Sequence, residues 1–359
     1  MMTNRANLVD GLEIFDLREE RDYCTWLSAW NENPHREVFA HPDYVRLFAD
    51  GIGSPSAALL NHENGTVLYP FIVRSIPGGG ELVDIISPYG YGGCFVWGEA
   101  DRNVLLHEFM RQFDGWAATR GVVSEFVRLS LFPDEILQYP TNSRERSANV
   151  VRSLDPGEDA LWRDYDAKVR KNVKKALRND VRVEVDETGE SLDTFYRIFS
   201  STMDRRDAAE SYRYSREFFQ NLTSALKGNI AYINAVYRDE IVSTELVLVS
   251  ARSIYSFLGG TLSSSFDVRP NDLLKHELIL WAKSKGMDNY VLGGGYQPED
   301  GIFRYKKSFA PHGIVPFRTG ERILDQHAYE TLVEARIHAR AEAGVTEPLD
   351  QSFFPRYRA

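Results

Sequence analysis

The stretch IAYINAVYRDEIVSTELVLVSARSIYSFLGGT, residues 230–261, decides the fold. Three runs rich in β-branched and aromatic residues, IAYINAVY, IVSTELVLVS and SIYSFLGGT, are parted only by the polar turns RDE and AR, which predicts an antiparallel meander. Two helical patterns precede it, SLDTFYRIFSSTM (191–203) and SREFFQNLTSAL (215–226). A helix closed by Gly286, NDLLKHELILWAKSKG (271–286), and a strand, NYVLGGG (289–295), follow it.

The first half of the chain has the same order of elements. REERDYCTWLSAW (18–30) and HPDYVRLFAD (41–50) read as helices, the second with Pro42 at a tolerated first position. SAALL, TVLYPFIVRSI and ELVDIIS form a second meander, with NHENG and PGGG supplying the positive φ angles of hairpin turns. After SPYGYGG (87–93) come the helix RNVLLHEFMRQFDGWAATRG (102–121) and the strand SEFVRLSLF (124–132). Residue identities do not repeat, but the order does. It predicts an α+β protein of two tandem domains of one type, each a mixed, mainly antiparallel sheet flanked by helices. The length of 359 residues also exceeds what one core usually supports.

A net charge of -10 argues against a general polyanion or membrane binder and directs attention to local patches. Cys24 and Cys94 are too few for a disulfide framework and suit a reducing compartment. The N-terminal MMTNRANLVDGLEIF lacks the apolar core of a signal peptide, and no apolar run is long enough to span a bilayer, so a soluble cytoplasmic protein is expected. Disorder is expected only at the extreme N-terminus and in the tail after Gly344.

Between the halves lies LDPGEDALWRDYDAKVRKNVKKALRND (154–180). Asp155 as N-cap, Pro156 at the first turn and Glu158 completing a capping box predict one long helix. Trp162, Tyr165, Val169, Val173 and Ala176 would form its buried stripe. Lys168, Arg170, Lys171, Lys174, Lys175 and Arg178 fill its last three turns with no acid among them. This is the most basic surface of an acidic chain, and it reads either as a solvated face or as a phosphate contact.

FAHPDYVRLF (39–48), SPYGYGG (87–93), VRKNVKKAL (169–177) and GGG (293–295) followed by FRYKKSFAP (303–311) occur in this order, and the chain so resembles the Fem-type aminoacyltransferases, peptidoglycan-bridge enzymes of the GNAT acyltransferase superfamily. The resemblance implies two GNAT-like domains, 1–154 completed by 312–359 and 155–311. It also implies transfer of an amino acid from an aminoacyl-tRNA to an amine acceptor, either a small molecule or a peptide, with no coenzyme A or metal cofactor. The family's functional aromatic-lysine pair matches Tyr305 and Lys306. A lysine that members use on substrate phosphates falls near Phe48, with Arg46 the close cation. An acid that follows the first glycine motif falls near Val96 or Trp97, with Glu99 and Asp101 beyond. These departures argue against a UDP-linked muramyl peptide as acceptor.

Ester aminolysis creates a tetrahedral oxyanion, which Lys306 could stabilise as the catalytic cation. Tyr305 could pack on a base or sugar or hydrogen-bond the amine, while Arg304 and Lys307 could hold phosphate. A solvated lysine pair on a short helix is the plain alternative. Glu245, interrupting the strand IVSTELVLV, is the candidate general base, with Glu299 and Asp300 as alternatives. Tyr89, Tyr91 and Gly92, beside Gly90 and Gly93, form a candidate ligand wall or a turn. Arg170, Lys171, Lys174 and Arg213 are candidate phosphate contacts, with Arg205 and Arg206 behind them. Cys94 reads as a small buried residue, and His276–Glu277 does not complete HExxH. Two other functions stay open: an acyl-CoA N-acyltransferase, against which VRPNDLLKH lacks both glycines of the usual pyrophosphate turn, and an inactive ligand-binding module.

Overall fold

The computed structural model describes residues 11–138 and 140–359, so the N-terminal residues expected to be disordered lie outside it. The chain forms two compact units, one of residues up to Arg146 with Phe317–Ala359, the other Ser147–Pro316.

In the first unit, β1 (Gly11–Asp16), α1 (Glu20–Glu32) and α2 (Pro42–Ala49) lead into the meander β2 (Ser54–His62), β3 (Gly65–Ser75) and β4 (Val83–Ile86). Then come β5 (Phe95–Gly98), α3 (Arg102–Arg120) and β6 (Val122–Arg128). Gly121 closes α3 at φ 71°, as the sequence predicts, and Asp101, named above only as an acid beyond the glycine motif, caps its start. The pairing of β4 with β6 is parallel, while the neighbouring pairs β1–β2 and β2–β3 are antiparallel. β1, unforeseen because it is a short strand near the chain start, edges this sheet against β2.

β7 (Asn142–Ser153) carries the chain into the second unit, where α4 (Glu158–Asp164), α5 (Ala167–Arg178), β8 (Arg182–Asp186), α6 (Leu192–Arg205) and α7 (Arg216–Ala225) precede the meander. β9 (Ile230–Tyr237), β10 (Glu240–Val249) and β11 (Ser253–Thr261) form the meander itself. α8 (Pro270–Ser284), β12 (Asn289–Gly293) and α9 (Gly301–Lys307) complete the unit. Its sheet runs β7, β12, β11, β10, β9, β8, with β11 and β12 parallel. β13 (Ile314–Ile323) returns to the first unit and pairs antiparallel with β6, followed by α10 (Gln326–Glu342).

Two expectations are corrected. The long helix from Asp155 is two helices, because Tyr165 is extended and Asp166 gives its N–H to the Ser308 carbonyl. Tyr165 buries its ring against Phe309 and His276, while Arg170 caps the broken end by donating to the carbonyls of Arg163 and Tyr165. The tail after Gly344 is docked. Leu349 and Tyr357 are buried, the Tyr357 hydroxyl meets Ser124 and Asp84, and Arg358 pairs with Asp84.

Candidate functional site

In the second unit β11 and β12 pair only over Ser253–Tyr255 and Asn289–Val291, although β11 continues to Thr261. The two parallel strands therefore diverge, and polar side chains from four elements fill the fork. Lys275, one turn into α8 and 5 % exposed, donates to Glu245 Oε1 of β10 at 2.6 Å, Tyr290 Oη of β12 at 2.7 Å and Ser256 Oγ of β11 at 3.3 Å. The Tyr290 hydroxyl donates to Glu245 Oε1 at 2.7 Å. Glu245 is 4 % exposed and its carboxylate is occupied by these partners, so the geometry gives it the role of holding Lys275 across the fork. Burial, with the nearby Glu245 charge, pushes the Tyr290 phenol well up.

At the end of β12 the chain turns through Gly293, whose φ of 81° is left-handed, and a Cβ there would lie 3.4 Å from Lys306 Nζ. A Cβ on Gly295 would stand 2.5 Å from Asp300 Oδ1. That carboxylate caps α9, accepting from the N–H of Phe303 at 2.7 Å, of Tyr296 at 2.7 Å and of Gln297 at 3.1 Å. The glycine run is thus a strand-end turn that also seats the start of α9. Phe303 anchors this short helix in the core, and Lys306 lies back over the turn with Nζ donating to the Gly294 carbonyl at 2.7 Å. Burial, then repulsion from Lys275, pulls the Lys306 ammonium down to about 8. Tyr305 rests its ring on Phe309, and its hydroxyl accepts from Asn271 Nδ2 at 2.9 Å. Burial and the Asp272 charge raise its phenol well above the ordinary range, so it keeps its proton.

Other candidates differ in how freely they can meet a ligand. Arg304 is exposed and donates to the Glu299 carbonyl, and Lys307 is half-buried beside it. On α5, Lys168, Lys171, Lys174 and Arg178 are exposed, and Lys174 lies 5.9 Å over the Trp162 ring. None of the six α5 cations has an acid within ion-pair distance among the described residues. Arg213, by contrast, is paired with Asp204 at 2.6 Å, and Arg205 lies over Phe266. In the first unit, Tyr89 is 45 % exposed and stacks on Phe48, while Tyr91 packs against Phe39 and Phe317. Gly92 is bridged to β6, with its N–H donating to the Arg128 carbonyl at 2.7 Å, and a Cβ on Gly90 would strike Phe39 at 2.4 Å. Cys94 is buried, which pushes its thiol up, and both cysteines are free. No cluster of metal-ligating side chains occurs among the described residues. No helix among them is long and apolar enough to cross a membrane.

Sequence reasoning missed Lys275, Tyr290, Asn271 and Asp272. One signal was visible: Asp272 and Lys275, one turn apart, flank the apolar pair Leu273–Leu274.

Residues 163–307 match the family described as the acetyltransferase (GNAT) domain. No curated protein matches the chain. Among solved structures, FemX aligns with 86 % of this chain and 98 % of its own at 12 % identity and a TM-score of 0.68. L-PGS from Bacillus licheniformis aligns over 90 % and 97 % at 13 % identity and a TM-score of 0.52. A conserved protein of unknown function from Bacteroides thetaiotaomicron aligns over 87 % and 99 % at 10 % identity and a TM-score of 0.53. The architecture is two GNAT-like units in tandem.

Acyl-CoA, which a GNAT domain brings to mind, needs free N–H groups at the start of α8 for its pyrophosphate. Here Pro270 has no N–H, and the buried Asp272 carboxyl sits on its own backbone N–H and accepts from Asn172 at 3.1 Å. A pyrophosphate would meet an acid where it needs donors. The residues present do not fit that group.

Proposed function

We propose that the chain is an aminoacyltransferase that moves an amino acid from an aminoacyl-tRNA to an amine, forming an amide. The observation that carries this reading is the Lys306 ammonium, drawn onto the Gly294 carbonyl at the mouth of the fork. One of its three N–H groups is occupied there, and the others are available for an oxygen that becomes negative. The amine nitrogen attacks the ester carbonyl carbon; the C–N bond forms, the C–O bond to ribose breaks, and the amine's proton ends on the departing ribose hydroxyl. Tyr305, which accepts from Asn271, has its own O–H free to relay that proton. Glu245 is not needed as a base in this scheme.

The unpaired cations of α5 supply a surface for the phosphates of an acceptor stem. Lys171→Glu with Lys174→Glu lowers tRNA affinity at least tenfold and makes the salt dependence shallower by about two counterions. Filter binding across a salt series checks this, and thermal melting stays unchanged because both side chains are exposed. Tyr296, 67 % exposed in the loop after the glycine run, has its ring 6.2 Å from that of Tyr212. These rings offer a stacking platform for unpaired terminal bases, so Tyr296→Ala weakens charged-tRNA binding by about 1–3 kcal/mol without lowering single-turnover rate at saturation.

The deciding experiment incubates the purified protein with a charged tRNA pool or with acyl-CoAs and follows loss of the acyl group as amines are added. Ribonuclease-sensitive turnover supports the proposal. Turnover with acyl-CoA alone overturns it.

A further inference from the structure

The first unit opens its parallel pair differently. β4 and β6 pair from Val83 to Ile86, the chain then swings out through Tyr89 and Tyr91, and it rejoins β6 where Gly92 bridges Leu129, leaving a short fork in front of Arg128. The carboxyl ends of adjacent parallel strands are where open α/β sheets hold ligands. In the second unit's fork Lys275 is met by the Glu245 carboxylate. In the first unit's fork Arg128 is met only by a neutral acceptor, the Ser87 carbonyl.

Arg128 is half-buried, and its Nη1 donates to the Ser87 carbonyl at 3.2 Å. Its guanidinium lies 5.3 Å from the Phe126 ring centre. No carboxylate stands within ion-pair distance of it among the described residues. Arg74, whose charge also acts on Arg128, is bound to Asp84 at 2.7 Å, a carboxylate that Arg358 shares. Burial pulls the Arg128 guanidinium below its usual range, and the groups that act against this are the hydroxyls of Tyr89 and Tyr44. Keeping a guanidinium part-desolvated without an anion is costly in a folded protein, and a ligand that brings the anion removes the cost.

We propose that the first unit binds a carboxylate at Arg128, the acid gripped by the edge of the guanidinium that the Ser87 carbonyl leaves unoccupied. One planar fork with a single net charge matches the two oxygens of a carboxylate. Resting on the aminoacyltransferase reading, the carboxylate is assigned to the acceptor, which is then an amino acid or short peptide with a free acid terminus.

The test is calorimetric titration of the whole protein without tRNA, using glycylglycine, its C-terminal amide and inorganic phosphate as probes. The dipeptide acid binds at least tenfold more tightly than the amide. Arg128→Lys, which keeps the charge and loses the fork, removes at least four-fifths of that preference, and Arg128→Gln removes all of it. Lys306→Met leaves the binding unchanged, so failure of the catalytic assignment and failure of this site are read separately. Equal binding of acid and amide, no binding of either, an unaffected Arg128→Lys variant, or phosphate preferred tenfold over the dipeptide overturns the proposal.

Discussion

Lys306→Met lowers turnover about a hundredfold or more while leaving the fold intact, the loss expected when one donor to an oxyanion is removed. The substitution also raises stability near neutral pH. Burial holds the folded-state value of this lysine at about 8 against an ordinary 10.5, so between these values the unfolded chain binds the proton that the folded chain has released. Stability therefore rises with pH through that window, and at pH 7 the charged lysine costs the fold about 1 kcal/mol once screening of its half-exposed stem is allowed for. Methionine removes that cost. The wild-type rate also falls as pH rises past about 8, where the ammonium is lost, and the residual activity of the variant lacks this descending limb. Melting curves and single-turnover rates on the same preparations check all three effects. A rate loss below threefold with an intact melt removes Lys306 from the chemistry.

Lys275→Met destabilises the protein by about 3–5 kcal/mol, because it leaves the Glu245 carboxylate buried with only the Tyr290 hydroxyl for company. Glu245→Gln combined with Lys275→Met recovers most of the loss, since an apolar stem and a neutral amide no longer need each other's charge. Denaturant unfolding of the two single variants and the double variant closes the cycle. The same set settles the role of Glu245. If Glu245→Gln keeps its stability but loses turnover a hundredfold, the carboxylate takes part in the reaction rather than bracing the fork.

The α+β architecture was legible because it depends on local periodicity. The runs around Val236, Leu246 and Tyr255 are rich in β-branched and aromatic residues and are parted by short polar turns, where Arg238 and Asp239 adopt positive φ. Lys306 was singled out through the family resemblance, and its approach to the glycine run, with Nζ on the Gly294 carbonyl, lies within 12 positions of sequence. The brace of the fork was not legible, because Glu245, Lys275 and Tyr290 lie on three elements 15 to 45 positions apart. Nor does a sequence tell a paired arginine from an unpaired one. Arg213 looked available but closes on Asp204 nine positions earlier, whereas Arg128 passed unnoticed inside a strand and has a carbonyl but no acid beside it. The break at Tyr165 had the same cause, since its ring is drawn to Phe309, which is 144 positions away in the chain, and no local helical preference registers that.

The return of the chain through β13 to pair with β6, followed by the docking of Tyr357, bears on the order of events at the ribosome. Everything the second unit requires has been synthesised by Pro316, while β6 of the first unit still has only β4 beside it and lacks both β13 and the aromatic plug beside Ser124. Of the two units, the one begun first is consequently the one completed second, and it waits in the nascent chain with an unsealed edge until Phe317–Ala359 emerges.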